Sequence, residues 1–232
     1  MSTAEFTALL MLCTAASFTP GPNTTLSAAL AANFGMRRAV RFIVAVPMGW
    51  GLLFTLCVFG VGAAVVALPA LRVGIQTLGI AYLLWLAFKL SQAGQLGVAD
   101  TRQFNVGFWQ GVMLQFVNIK AWMLALTVVA GWLAGRNDLL ARFAVILPLM
   151  LAFGLASNFA YAAMGSLLRG WLAQGTRLLW FNRGMALVLV ATAGWMATLC
   201  VASSRRLWPF KRGATAQARK SRADCGWGSW AW

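Results

Sequence analysis

The sequence predicts an all-α integral membrane protein with six transmembrane helices, and three observations carry that prediction. Of the 232 residues, 61% are hydrophobic and 10% are charged, with a mean hydropathy of +0.75; a soluble domain carries about 25% charged residues. The charges cluster, leaving uncharged runs at 6–36, 42–71, 73–88, 143–168 and 184–204, and a run at 103–135 interrupted only by Lys120. Two groups of unusual residues break the apolar pattern at membrane depth, one in 6–36 and one in 103–135.

A helix crossing the roughly 30 Å hydrocarbon core needs about 20 residues. The expected spans are therefore about 6–33, 42–68, 73–90, 107–133, 143–168 and 179–203, within a membrane unit covering 1–204. The third run is short and is expected to gain length through snorkelling of Arg72 and Lys89. The runs lack the alternation of barrel strands and are about twice their length. Gly131-x-x-x-Gly135 reads as a place where helices approach closely. No basic segment precedes the first run, so it is expected to remain as a span rather than be cleaved.

Lys and Arg total 19 against four Asp and Glu, with no His, a formal charge of +15. The basic residues lie between apolar runs, which suits positive-inside loops and contact with anionic lipid. The expected partner is the bilayer and not a nucleic acid. Loops after spans one, three and five hold Arg37, Arg38, Arg41, Lys89, Arg102, Arg169, Arg177 and Arg183; those after spans two and four hold Arg72, Arg136 and Arg142. That bias places the N-terminus outside the cytoplasm. The tail, 205–232, carries seven further basic residues on the N-terminal side and opposes it. With one acidic residue and no apolar periodicity, this tail reads as a disordered basic extension. Cys13, Cys57, Cys200 and Cys225 form no C-x-x-C pair, and without His there is no Cys/His metal site. No metal or cofactor is expected.

The first break is Thr19-Pro20-Gly21-Pro22-Asn23-Thr24-Thr25. Two prolines remove main-chain donors and disfavour helix at the residues before them. Opened backbone at membrane depth is tolerated only inside protein or beside a wet cavity. The second break is Asn118-Ile119-Lys120. Trp109 and Trp132 read as interfacial anchors about 35 Å apart at 1.5 Å per residue, with Lys120 near the midpoint. A lysine reaches about 6 Å and the interface lies roughly 15 Å away, so snorkelling fails. A central lysine costs about 2.5–3.5 kcal/mol on insertion scales and marks a site. No run contains a carboxylate, so the partner is either a ligand carboxylate or the opened backbone of span one. Pro20, Gly21, Pro22, Asn23, Thr24, Asn118 and Lys120 are the candidate substrate-binding residues.

These residues carry a resemblance. Thr19-Pro20-Gly21-Pro22-Asn23, Ala32-Asn33-Phe34-Gly35-Met36-Arg37-Arg38, Gly79–Ala87, and Phe108-Trp109-Gln110 with Gln115–Trp122 resemble the LysE/RhtB amino-acid exporters, over about 6–196. The resemblance implies a six-helix inner-membrane carrier, not an enzyme, exporting amino acids or related small metabolites on the proton gradient. Two departures stand out: Ile119 replaces the proline of the family's Asn-Pro-Lys, and Ala45 and Pro47 occupy span two where a glycine and a small or polar residue are expected.

The breaks fall in corresponding helices of two three-helix halves. An odd number of helices per half puts the halves in opposite orientation, giving two inverted repeats with discontinuous helices one and four. Main-chain N–H groups at a half-helix start near Asn23 would hold a carboxylate, with Lys120 adding charge. The alternatives are a membrane-embedded thiol or redox protein, which lacks the paired cysteines it needs, a passive pore, and a non-transporting homologue. Whether the chain forms a homo-oligomer stays open.

Overall fold

A computed structural model describes residues 1–93 and 106–198; the loop expected after Lys89, the end of the last span, Cys200, Cys225 and the basic tail lie outside the described residues. The described residues are helical throughout. Ser2 opens α1 (Thr3–Phe18) with a reciprocal cap: its hydroxyl accepts the Glu5 N–H at 3.2 Å, and the Glu5 carboxylate accepts the Ser2 N–H at 2.9 Å. After a three-residue break, α2 (Pro22–Phe34) starts with proline at its first position, where no donor is missed. Gly35, at φ 82°, reverses the chain into α3 (Met36–Val58). Gly60, at φ 103°, then leads into the short α4 (Val61–Ala67).

Helix α5 (Pro69–Gln92) has 24 residues and begins four residues before the expected third span. It is long enough to cross unaided, so snorkelling of Arg72 and Lys89 is not needed; the Lys89 ammonium instead lies 4.2 Å from the Trp85 ring centroid. Helix α6 (Phe108–Val117) meets α7 (Ile119–Val128) at Asn118, and α7 ends in a wide turn, Val129–Leu133. Phe108–Val117 and Ile119–Leu133 are bent by 67°. This bend corrects the straight 35 Å path between Trp109 and Trp132. Helices α8 (Leu139–Leu172) and α9 (Arg177–Thr198) complete the described chain. By length and composition α3, α5, α8 and α9 can each cross a membrane, and α6 with α7 makes a fifth crossing if the bent pair is one span.

Packing rests on small residues, as expected where lipid gives helices no hydrophobic reason to associate. A Cβ on Gly165 would lie 2.2 Å from the Ala28 carbonyl oxygen, and one on Gly79 would lie 2.0 Å from that of Val117. These contacts seat α8 on α2 and α5 on the end of α6. The Gly131-x-x-x-Gly135 expectation fails: neither position has a neighbour within 4 Å, and Gly135 sits at φ 69° in a turn.

The buried side chains form two main clusters that the breaks divide. One contains Leu26, Leu30, Phe42, Leu86 and Leu114; the other contains Leu9, Cys13, Phe54, Ala125 and Val128. Thus α2 shares a core with α6, and α1 shares a core with α7. The breaks lie between the two.

Candidate binding site

Each break leaves carbonyls without helical partners, and the structure satisfies them from other helices. At the end of α1, the Phe18 carbonyl accepts the Tyr161 hydroxyl at 2.9 Å, and the Thr19 carbonyl accepts the Lys120 ammonium at 2.8 Å. At the end of α6, the Phe116 carbonyl accepts the Trp122 indole N–H at 2.8 Å. The side chain of Asn118 accepts the Lys120 main-chain N–H at 3.1 Å and so starts α7. An asparagine N-cap thus makes the break that a proline was expected to make. Asn118 is extended, at φ −87° and ψ 106°, and ends one helix while capping the next.

The start of α2 is built in a similar way. The Thr24 hydroxyl accepts the Gly21 N–H and donates to the Gly21 carbonyl, both at 3.1 Å. The first intrahelical bond runs from the Thr25 N–H to the Gly21 carbonyl, 3.0 Å. The main-chain N–H groups of Asn23 and Thr24 precede it and point out of the helix start. A Cβ on Gly21 would lie 3.5 Å from the Lys120 ammonium nitrogen, so the glycine leaves the approach to that charge open.

A cavity of about 80 Å³ lies where the two breaks meet. Of the expected residues, Gly21, Pro22, Asn23, Thr24, Asn118 and Lys120 line it. Pro20 does not; it is exposed, and its part is confined to opening the backbone. Asn23 and Gln115 exchange two hydrogen bonds, 2.9 and 3.1 Å, across the cavity wall. Buried Asn158 accepts the Ser27 hydroxyl at 2.9 Å and donates to the Gly154 carbonyl at 2.8 Å. Trp50 reaches the Ala121 carbonyl at 3.3 Å, and Pro47 adds an apolar wall from α3. Among the described lining residues Lys120 is the one cation, and none is an acid.

Gln115, Asn158, Ser157, Trp50 and Pro47 belong to this cavity and were not among the expected residues. A signal existed for one pair: Ser157-Asn158 interrupts the otherwise apolar part of 143–168. Gln115 offered less, because an amide in a helix can simply bond its own turn. It does so here as well, donating to the Gly111 carbonyl at 3.0 Å.

The acidic residues lie elsewhere. Glu5 pairs with Arg136 at 3.0 Å and with Arg142 at 3.3 Å, and Arg142 also pairs with Asp138 at 2.8 Å. The hydrogen bond from Arg142 holds the Asp138 carboxyl below its ordinary value. Trp132, expected as a free interfacial anchor, donates to the Glu5 carbonyl at 2.9 Å. Asp100 and Asp224 lie outside the described residues. Among the described residues no group of three or more Cys, Asp and Glu could hold a metal ion.

The family described as LysE type translocator matches residues 14–199 of the chain. A cysteine/O-acetylserine efflux protein of Salmonella paratyphi A is 30% identical over 180 residues, 76% of this chain and 89% of the relative. Proteins of the same description from Salmonella typhimurium and Escherichia coli K12 are 29% and 28% identical, with the same coverage of both chains. No solved structure matches.

Proposed function

Because the chain belongs to the LysE type translocator family, whose members are transporters rather than enzymes, we propose that it is a secondary carrier exporting amino acids or related small zwitterionic metabolites. The proposal places it in the bacterial inner membrane, driven by the proton gradient. The relatives named for cysteine and O-acetylserine efflux support amino-acid export. The single observation that carries the reading is Lys120, a membrane-depth cation resting on a neutral carbonyl where two broken helices meet.

In this reading the carrier unit is 1–204, with the tail 205–232 outside it. Six spans form from α1 with α2, α3 with α4, α5, α6 with α7, α8, and α9, arranged as two inverted three-helix repeats. Sharing of one core by α1 and α7, and of the other by α2 and α6, supports that arrangement. In inverted repeats the first half of one broken helix lies at the same side of the membrane as the second half of the other. The start of α3, with Arg37, Arg38 and Arg41, faces the cytoplasm, and the ion-paired end of α1 faces outward.

A substrate carboxylate binds the Lys120 ammonium and the N–H groups at the start of α2, where the helix dipole adds favourable potential. Asn23, Thr24 and Asn118 supply neutral hydrogen-bonding groups, and Pro20 to Pro22 keep the helix open. Binding removes the Lys120 bond that ties the two breaks together, so substrate and conformation are coupled. To test this, cells are loaded with dipeptides and the released amino acids are profiled with and without the protein. Faster release of particular amino acids on expression is the expected result. Identical profiles at verified membrane levels would remove the carrier reading.

A further inference from the structure

We infer that the substrate enters by inserting its α-carboxylate and α-ammonium into the bond between Lys120 and the Thr19 carbonyl, and that the cavity selects α-amino acids with uncharged side chains, excluding cationic ones. This inference rests on the carrier reading and narrows it to a substrate class.

The geometry sets the terms. The Lys120 ammonium donates to the Thr19 carbonyl at 2.8 Å. An arriving carboxylate offers Lys120 an ionised acceptor in place of a neutral carbonyl, adding charge–charge attraction to the hydrogen bond. Its capture of Lys120 would take from the Thr19 carbonyl, at the exposed end of the break, the donor that the protein gives it. An α-ammonium on the same molecule repairs that loss by donating to Thr19. A zwitterion thus replaces one donor–acceptor pair by two, and neither end is left unpaired. A carboxylate without an adjacent ammonium frees the carbonyl and gives it nothing.

The rest of the lining sets side-chain selectivity. Beyond Lys120 the polar groups of the described lining residues are neutral, among them Asn23, Thr24, Gln115, Asn118 and Asn158. Glu5 and Asp138 are committed to Arg136 and Arg142, away from the cavity. A lysine-like side chain would bring a second cation beside Lys120 with no acid to receive it, and an unpaired buried charge is strongly disfavoured. The volume agrees with a small ligand. At ~10–15 Å³ per water-sized group, the cavity of about 80 Å³ has room for about five to eight such groups, which admits a molecule the size of serine.

The test uses the full-length protein in liposomes preloaded with unlabelled solute, following counterflow of L-serine, O-acetyl-L-serine, L-lysine and L-lactate. O-acetylserine and lysine have equal numbers of non-hydrogen atoms, so their comparison isolates charge. Lactate keeps the carboxylate and loses the ammonium. Exchange of serine or O-acetylserine, with lysine and lactate slower by roughly tenfold or more, is expected. Lysine moving as fast as O-acetylserine would overturn the charge selection while leaving the carrier reading intact. Lactate moving as fast as serine would overturn the insertion. If no amino acid exchanges, the carrier reading fails and this inference fails with it. If lysine alone exchanges, the carrier stands and the inference falls. An Asn158→Asp variant adds the missing acid with little change in shape. It is expected to raise lysine exchange relative to O-acetylserine, and an unchanged ratio in a variant that still moves O-acetylserine contradicts the inference.

Discussion

The two ends of α1 hold basic side chains in opposite ways. At its start, Arg136 and Arg142 meet Glu5 and Asp138, every charge has a counter-charge, and the Trp132 indole adds a further tie to the Glu5 carbonyl. At its end, among the described residues, the Lys120 ammonium meets the Thr19 carbonyl alone. The first arrangement is complete and gains nothing from an added ion. The second leaves a full charge on a neutral partner, which a carboxylate can displace. The difference between them separates a clasp from the proposed binding site.

The comparison depends on the breaks being held open by packing, and the largest expected effect comes from attacking that packing. A Cβ on Gly79 would lie 2.0 Å from the Val117 carbonyl oxygen, so Gly79→Ala must displace α5 from the end of α6. Overpacking costs about 1–3 kcal/mol, and a backbone clash belongs at the upper end. Membrane levels and melting temperature of the solubilised protein should both fall. A variant that accumulates and melts like the parent would show that the close approach is dispensable.

The clasp gives a smaller effect of a different kind. Arg142→Gln removes two of the three ion pairs around Glu5 and Asp138, and exposed pairs of this kind contribute little to stability. Melting temperature should drop modestly, while transport per molecule stays near the parental rate. Asp138 sharpens the point. Its folded carboxyl sits below the ordinary value, so its contribution is complete above about pH 3.9 and is lost as pH falls from there through the folded value. The melting difference between the parent and Asp138→Asn should therefore be constant near neutrality and vanish in strong acid. A difference that instead disappears between pH 5 and 7 would contradict the pairing.

The break in span four shows how far the sequence could be read. Lys120 was legible because a lone charge in a long apolar run has few explanations, and its backbone partner was one of the two foreseen. Pro20-Gly21-Pro22 was legible because prolines act through local covalent geometry. The Asn118 cap was not: Asn118 was read as part of the break and as a candidate ligand, and its role in starting α7 shows only once its side chain is placed against the Lys120 N–H. The clasp was hidden for a related reason: Glu5 and Arg142 are far apart in the chain, and each served in the sequence only to bound a span. Gly131-x-x-x-Gly135 misled because a spacing that suits helix packing also occurs where a chain turns.

The smallest expected effect follows from that cap. Ile119 is the first residue of α7, and Asn118 before it is already extended. A proline at 119 needs that backbone and sacrifices no helical donor. Ile119→Pro should preserve or slightly raise transport, with stability changed by less than about 1 kcal/mol. A large loss of transport at normal membrane levels would show that the Asn118 cap and a proline do not produce equivalent breaks.

The central claim is that Lys120 is held for a substrate rather than for the fold, and Lys120→Met tests it most directly. The substitution keeps length and apolar volume, and it removes the cost of placing a charge at membrane depth, so the variant should insert at least as well as the parent. Amino-acid release is measured at matched membrane levels beside Arg142→Gln and Lys120→Arg. Lys120→Met is expected to export at the background rate. Lys120→Arg should also be impaired, because a guanidinium is larger and does not deprotonate. Arg142→Gln should retain export. Parental export by Lys120→Met would contradict the account.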